Sequence, residues 1–507
     1  MKFERTKNAK RNIGWGLFER AVALTVPFIC RSALIRIFGI NYAGLNSLFT
    51  SLLSTLNLAE LGFGSTVVYF LYGAIAEDNK EKICSILNYL KKVYLIVGTT
   101  ILTLGILAIP FLKNFIHSDI PEGINIYVIF LLSLSSTCLS YFLFTYRSSL
   151  IIAHQRHDVI FRISIVITIV DKALQLIAIF LFKNYYMYIG SGIVATIINN
   201  LLYNFASKKM YPDYNPKGKL EKTVRSNIQT KIKGLFLYKI GGVVSGQADS
   251  IVISSFLGLA IMGKYGNYYY VIYFLFMMFS MYYSTIRAGI GNSIALETVE
   301  KNHHDFKVLQ FGQSWMVSWC TVCLYCLFQD FIVVYARVYN QLDFSIVICL
   351  CLYFWVWKMQ DIVGTYKEAA GLWDKDKFRP LISALFNLFL NILTVRYIGL
   401  YGVILSTVVS TIIVDIPWAT KVLFKEYFKK GEIDYYLSLL VSFCEMVGLC
   451  AITGFVCNTV HIGNIFARMA AKGLICIVLP NAIMFLIYRK SELFSSFVQR
   501  LKHAKKS

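Results

Sequence analysis

Apolar runs of about 20 residues recur from one end of this chain to the other, each long enough to cross a bilayer as a helix. The runs are continuously apolar rather than alternating, which argues against membrane strands. A soluble protein of 507 residues would need more polar surface than 57% hydrophobic and 15% charged residues provide. Mean hydropathy is +0.59. The expected fold is therefore all-α and polytopic, with transmembrane helices near 13–38, 43–76, 90–112, 124–153, 159–182, 185–206, 232–257, 265–298, 309–336, 343–372, 378–396, 398–424, 434–458 and 465–488. No segment reads as a cleavable signal peptide.

The net charge of +22 is distributed as an orientation signal. Starting from the basic tail (Lys2, Arg5, Lys7, Lys10, Arg11), the loops on the tail's side hold roughly 34 Lys and Arg, the opposite loops roughly 5. Both termini are expected in the cytoplasm, and nucleic acid is not an expected partner. Twelve cysteines are scattered, mostly inside spans. Cys320, Cys323 and Cys326 have metal-like C-x-x-C-x-x-C spacing, but no fourth ligand is evident and the helix is apolar. They read as small core hydrophobes, and no metal site is expected. His303-His304 reads as part of a solvated loop.

The sequence repeats itself weakly. FGINYAGLN (38–46) matches LGLAIMGKY (257–265), both glycines recurring 219 residues on. Ser65-Thr66 recurs as Ser284-Thr285 at the same offset, and Arg20 falls on Lys239. Tyr146-Arg147 recurs as Tyr366-Lys367 after 220 residues, and YIGSGIVATII (188–198) resembles YIGLYGVILST (397–407). Six spans separate equivalent elements, so the repeats are parallel, an arrangement typical of transporters that rock about a central site. The expected organisation is a six-helix lobe at 1–206, a basic cytoplasmic linker at 207–233, a second six-helix lobe at 234–424, and two further helices with a basic tail at 425–507. The linker is too short for a catalytic domain and no P-loop occurs, so no enzyme is expected.

RIFGINYAGLNSLFTSLLSTLNLAELGFGSTVVYFLY (36–72), followed by EDNKEKI, resembles the bacterial polysaccharide repeat-unit flippases (Wzx-type) of the multidrug/oligosaccharidyl-lipid/polysaccharide (MOP) exporter superfamily. So does RAGIGNSIALET (287–298). The resemblance implies an undecaprenyl-pyrophosphate-linked oligosaccharide as substrate, turned over by alternating access in the bacterial cytoplasmic membrane. It implies no cofactor, but coupling to a proton or sodium gradient or to the membrane potential. Implied partners are membrane lipid, the polysaccharide polymerase and the chain-length machinery. The competing readings are a cation-coupled multidrug antiporter of the same superfamily and a polytopic polymerase. The two additional helices and Arg31 weigh against the antiporter, and the short outer loops against the polymerase.

Ionisable residues inside spans mark functional sites by default, because lipid solvates them poorly. Arg20 and Arg31 are eleven residues apart, which closes about three helical turns and puts them on one face. Arg36 is placed to snorkel to headgroups. Arg31 reads either as cavity-lining or as half of a structural ion pair. Glu60 reads as a partner for Arg20 or as a cation-coupling carboxylate. A pyrophosphate needs converging cationic donors, and Arg20, Arg31, Lys239 and Arg287 are the candidates. Asp249 lies ten residues beyond Lys239, while Lys358 and Asp361 stand one turn apart and are placed to neutralise each other. Asp171-Lys172, Asp415 and Glu445 complete the inventory. Tyr268 and Tyr269 belong either to an interfacial belt or to a platform for sugar rings. Pro27, Gly62, Gly64, Gly241 and Gly242 are candidate bending points or close-packing positions.

Overall fold

The computed structural model describes residues 5–57, 63–117 and 120–504, with the side chains of 5–10, 13, 65, 231, 233–240, 244–245 and 501–504 left aside. Among the described residues there are helices and no strands. The chain divides into two compact units, Met1–Gly263 and Lys264–Ser507.

The first unit contains α1 (Arg5–Ile37), α2 (Ile40–Leu56), α3 (Phe63–Ala76), α4 (Lys80–Ala108), α5 (Ile126–Phe142), α6 (Tyr146–Ala153), α7 (His157–Ile177), α8 (Tyr185–Met210) and α9 (Lys222–Leu257). α10 (Leu259–Leu296) begins in this unit and continues into the second. There follow α11 (Val299–Ala336), α12 (Phe344–Met359), α13 (Asp361–Ala369), α14 (Arg379–Ile398), α15 (Leu400–Ser410), α16 (Ile416–Leu423), α17 (Ile433–Asn458), α18 (Ile465–Tyr488) and α19 (Glu492–Ala504).

Helical segments stand at all fourteen expected spans. Among the described residues ten helices are long and apolar enough to cross a membrane individually, and an eleventh span is the bent pair α5–α6. The remaining expected spans fall on α1, on α2 with α3, and on α9. The outer face of each unit is oily, as lipid requires: Phe180, Leu181, Phe182, Phe205, Phe389, Phe455 and Phe466 are all exposed. Entry into several helices is set by side chains that satisfy orphan amides. Asn79 accepts from the Lys82 amide, Asn125 from Tyr127 and Val128, Asn184 from Met187, and Asn464 from Phe466 and Ala467.

Breaks among the described helices do not fall at Pro27, Gly241 or Gly242, while Gly64 is the second residue of α3. Pro27 sits inside an uninterrupted α1, and Gly241 and Gly242 inside an uninterrupted α9; Gly62 lies outside the described residues. The sharp bend, 52°, falls between α5 and α6. There the Phe144 amide, released from the helical ladder, donates to the buried Asn200 carboxamide oxygen of α8 at 2.9 Å. The Thr145 hydroxyl donates to the same oxygen at 2.9 Å. A polar side chain on a neighbouring helix thus replaces the lost backbone partner, which is what tolerates a break at membrane depth. In the second unit the span formed by α12 and α13 is interrupted at Gln360, and Gln313 of α11 donates to the Lys358 carbonyl just before the interruption.

The repeated glycine motif has a structural counterpart. Gly39 (φ +104°) and Gly258 (φ +90°) make the same turn between consecutive helices, in a conformation side chains disfavour. The second glycines of the two copies pack against each other's turns. A Cβ on Gly44 would meet the Leu259 carbonyl oxygen at 2.0 Å, and one on Gly263 the Ile40 carbonyl oxygen at 2.5 Å.

The basic segment after α8 is tied to the first unit rather than strung free. Arg147 donates to the Tyr214 carbonyl at 3.0 Å, Asn88 to the Gly218 carbonyl at 2.8 Å, and Lys80 pairs with Asp213 at 3.2 Å.

Candidate functional site

In the first unit, α1 packs along α7 and against α2. Arg31 is half-buried, and its Nη1 donates to the Ser47 hydroxyl of α2 at 3.2 Å. Arg20 keeps 51% of its side chain exposed, with Nε 3.9 Å from Glu19. Arg36 is exposed, as snorkelling requires. One arginine of the shared face is therefore held against α2 while the other stays open. Glu60, the expected partner of Arg20, lies outside the described residues, as does the Lys239 side chain. Asp249 is buried on α9.

Beside α1 lies a cavity of ≈ 310 Å³, lined among others by Pro27, Ser136, Asp171, Lys172, Thr196 and Asn199. Asp171 accepts from Ser191 of α8 at 3.2 Å and pairs with Lys172 at 2.8 Å. Lys172 also donates to the Gln175 amide oxygen at 3.0 Å, and the Cys30 thiol to the same oxygen at 3.2 Å. The Gln175 amide nitrogen closes the ring by donating to Asp171 at 3.2 Å. The carboxylate of this cavity is matched by an adjacent ammonium, so the wall is polar and close to neutral. Such a pair survives partial burial because the remaining lone pairs and protons are also satisfied.

In the second unit the candidate bases meet acids. Arg287 of α10 reaches Glu368 of α13 at 2.6 Å. Lys358 pairs with Asp361 at 2.6 Å across the α12–α13 interruption and lies over the Phe276 ring at 4.5 Å. The tyrosines are arranged differently from a sugar platform. Tyr268 is 0% exposed, donates to Gln329 at 2.7 Å, accepts from the Leu342 amide at 3.1 Å and packs edge-on against Phe328. With both faces covered, it presents no ring to a ligand. Tyr269 is half-buried and stacks on Tyr265 at 5.7 Å.

Beyond Asp415 and Glu445, which the sequence inventory includes, several charged groups that sequence reasoning passed over prove central to each unit. Glu19 accepts from Ser164 at 2.9 Å. Asp158, 0% exposed, gathers Arg11 and Arg156, each at 2.9 Å. In the second unit Lys367 pairs with Asp376, which Arg379 also holds at 2.9 Å. Arg379 continues to Asp415, in the π-helical turn Thr411–Asp415, where Ser383 also donates. Asp330 binds Arg468 and Lys472, each at 2.8 Å, and Tyr488 donates to Glu445. The available signal was the Tyr146-Arg147/Tyr366-Lys367 repeat: both basic residues are almost fully buried. Just beyond the spans, His154 stacks on Tyr211 at 4.0 Å, and its Nδ1 lies 2.8 Å from the Leu150 carbonyl. Burial holds His154 below its ordinary range and raises Tyr211 to about 12.

No family model and no curated protein matches the sequence. Solved structures do match. The lipid II flippase MurJ, in an inward closed conformation, aligns with a TM-score of 0.67 at 17% identity, over 94% of this chain and 98% of that one. An inward-facing MATE-family multidrug resistance transporter of the MOP superfamily aligns at 0.64 and 12% identity, over 80% of this chain and 96% of that one. The Vibrio cholerae MATE transporter VcmN aligns at 0.52 and 14% identity, over 83% and 98%. With its many apolar helices, the chain is a multi-pass membrane protein with the fold shared by MOP-superfamily flippases and transporters.

Proposed function

We propose that the protein is a flippase that turns a lipid-linked oligosaccharide, an undecaprenyl-pyrophosphate-linked repeat unit, across the bacterial cytoplasmic membrane for cell-surface polysaccharide synthesis. The observation that carries this reading is the alignment with a lipid flippase over nearly the full length of both chains. Three MATE alignments account for almost all of those transporters but only 80%, 83% and 87% of this chain. A chain that outruns the multidrug transporters while matching the flippase end to end favours the lipid substrate. Arg31, half-buried on α1, is the guanidinium offered to the pyrophosphate, and alternating access is the mechanism. Both termini face the cytoplasm, and polymerase and chain-length proteins are the proposed neighbours.

The test is deletion of the gene followed by extraction of lipid-linked intermediates. Complete repeat units accumulating on the inner leaflet support flipping. Single repeat units displayed outside would instead indicate a missing polymerase. The cation-coupled multidrug antiporter remains the second reading because MATE transporters share the fold. Increased drug susceptibility of the deletion strain, with unaltered surface polysaccharide, would favour it.

A further inference from the structure

Three thiols from three helices converge in the second unit. The sulfurs of Cys326 on α11, Cys457 on α17 and Cys476 on α18 all lie within 4.8 Å of one another. Cys457 is 2% exposed, Cys476 0%, and Cys326 is half-buried. Cys323 lies one turn before Cys326 on the same helix. The C-x-x-C-x-x-C run on α11 therefore does not form a site by itself. It contributes one vertex of a triangle that the fold completes from more than a hundred residues away.

We propose that this triangle is a binding site for a soft monovalent metal ion, with Cu(I) as its occupant in a trigonal three-sulfur shell. Metal–sulfur bonds of about 2.3 Å in a plane require sulfur–sulfur edges of about 4 Å, so closure needs less than 1 Å of adjustment along an edge. The donor set holds no histidine and no carboxylate, and soft thiolates favour Cu(I) and zinc among the first-row ions. Zinc in structural sites takes four ligands, whereas the mutually close set has three.

The local charge favours the same ion. Asp330 lies one turn beyond Cys326 on α11, and Lys472 one turn before Cys476 on α18. Together with Arg468, one turn further back along α18, they form the triad described above, two cations against one carboxylate, with Asp330 and Lys472 about 6 Å along their axes from the thiols. That excess positive charge offsets the negative charge left when thiols release protons to solvent and ligate as thiolates. A bound ion would tie α11 to both C-terminal spanning helices.

The experiment is an anaerobic Cu(I) titration of the full chain in detergent against bathocuproine disulfonate. It is followed by alkylation of unprotected thiols and peptide mapping. One Cu(I) per chain retained against the chelator, with Cys326, Cys457 and Cys476 protected and three sulfurs found by X-ray absorption, is the expected result. Cys326→Ser and Cys457→Ser should each lower retention at least tenfold, while Cys84→Ser in the first unit leaves it unchanged. Chelator removal of all copper, protection mapping to other cysteines, or equal retention by Cys326→Ser and Cys84→Ser would overturn the assignment. Protection mapping on the unaltered protein keeps the test decisive even if a serine variant folds poorly.

Discussion

Lys367 and Asp376 form an ion pair in which neither side chain exposes more than 3% of its surface. Asp376 has a second cation in Arg379, whereas Asp376 is the one carboxylate within ion-pair distance of Lys367 among the described residues. The two substitutions should therefore differ. Asp376→Asn leaves the buried Lys367 without its carboxylate, Arg379 keeping Asp415, and should cost about 3–5 kcal/mol, while Lys367→Met leaves the carboxylate held by Arg379 and should cost less. Thermal unfolding in detergent ranks them, and an equal or reversed order would contradict this account.

Arg31 is the residue through which the proposed function is most directly tested. Removing a charged donor to a pyrophosphate should lower export about tenfold or more, so Arg31→Ala should do so at unchanged membrane abundance. Ser47→Ala, which removes only the 3.2 Å contact across to α2, should have a small effect. Disappearance of the Arg31→Ala protein itself would assign the arginine to folding.

Arg287 and Glu368, 2.6 Å apart, should behave as a pair. Arg287→Glu should impair export, and adding Glu368→Arg should recover a substantial part of it. A double variant no better than the worse single one would mean that Arg287 acts on something other than Glu368.

The crossed glycines give a steric prediction. Gly44→Ala and Gly263→Ala drive a methyl group into backbone carbonyls, which cannot rotate away. Each should cost about 1–3 kcal/mol or more, read as loss of monodisperse protein. Gly190→Ala and Gly448→Ala, where nothing lies within 4 Å of the added carbon, should be neutral to mildly stabilising.

His154 makes stability depend on pH. Its folded-state pKa lies below the ordinary 6.5 because burial disfavours the charged ring. Between those two values the unfolded chain binds a proton that the folded chain does not. The histidine's contribution is therefore complete above pH 6.5 and is lost as pH falls through the folded-state value. Melting temperatures from pH 7 to 5 should decline less for His154→Phe than for the parent, and parallel curves would refute the assignment.

The helices were legible because a span is a one-dimensional object: twenty apolar residues announce it without a partner. The Lys358–Asp361 pair was legible for the same reason, since one helical turn fixes the distance. Contacts between helices were not. The sequence could not indicate that Asn200 would satisfy the α5–α6 break, which carries neither a glycine nor a proline. Tyr268 sat in a tyrosine-rich run typical of an interface, yet Gln329 and the Leu342 amide claim its hydroxyl. Cys457 and Cys476, each unremarkable alone, acquire meaning only when α17 and α18 are laid beside α11.

The meeting of Gly44 with Leu259 and of Gly263 with Ile40 bears on how a duplicated chain can diverge. Most of a repeated sequence is free to drift once its copies have separate surroundings. Here each copy forms part of the other's surroundings, so bulk gained at one turn must be absorbed at its sibling. A chimaera assembled from halves of two such chains should therefore fail first at this seam, even where every other helix is interchangeable.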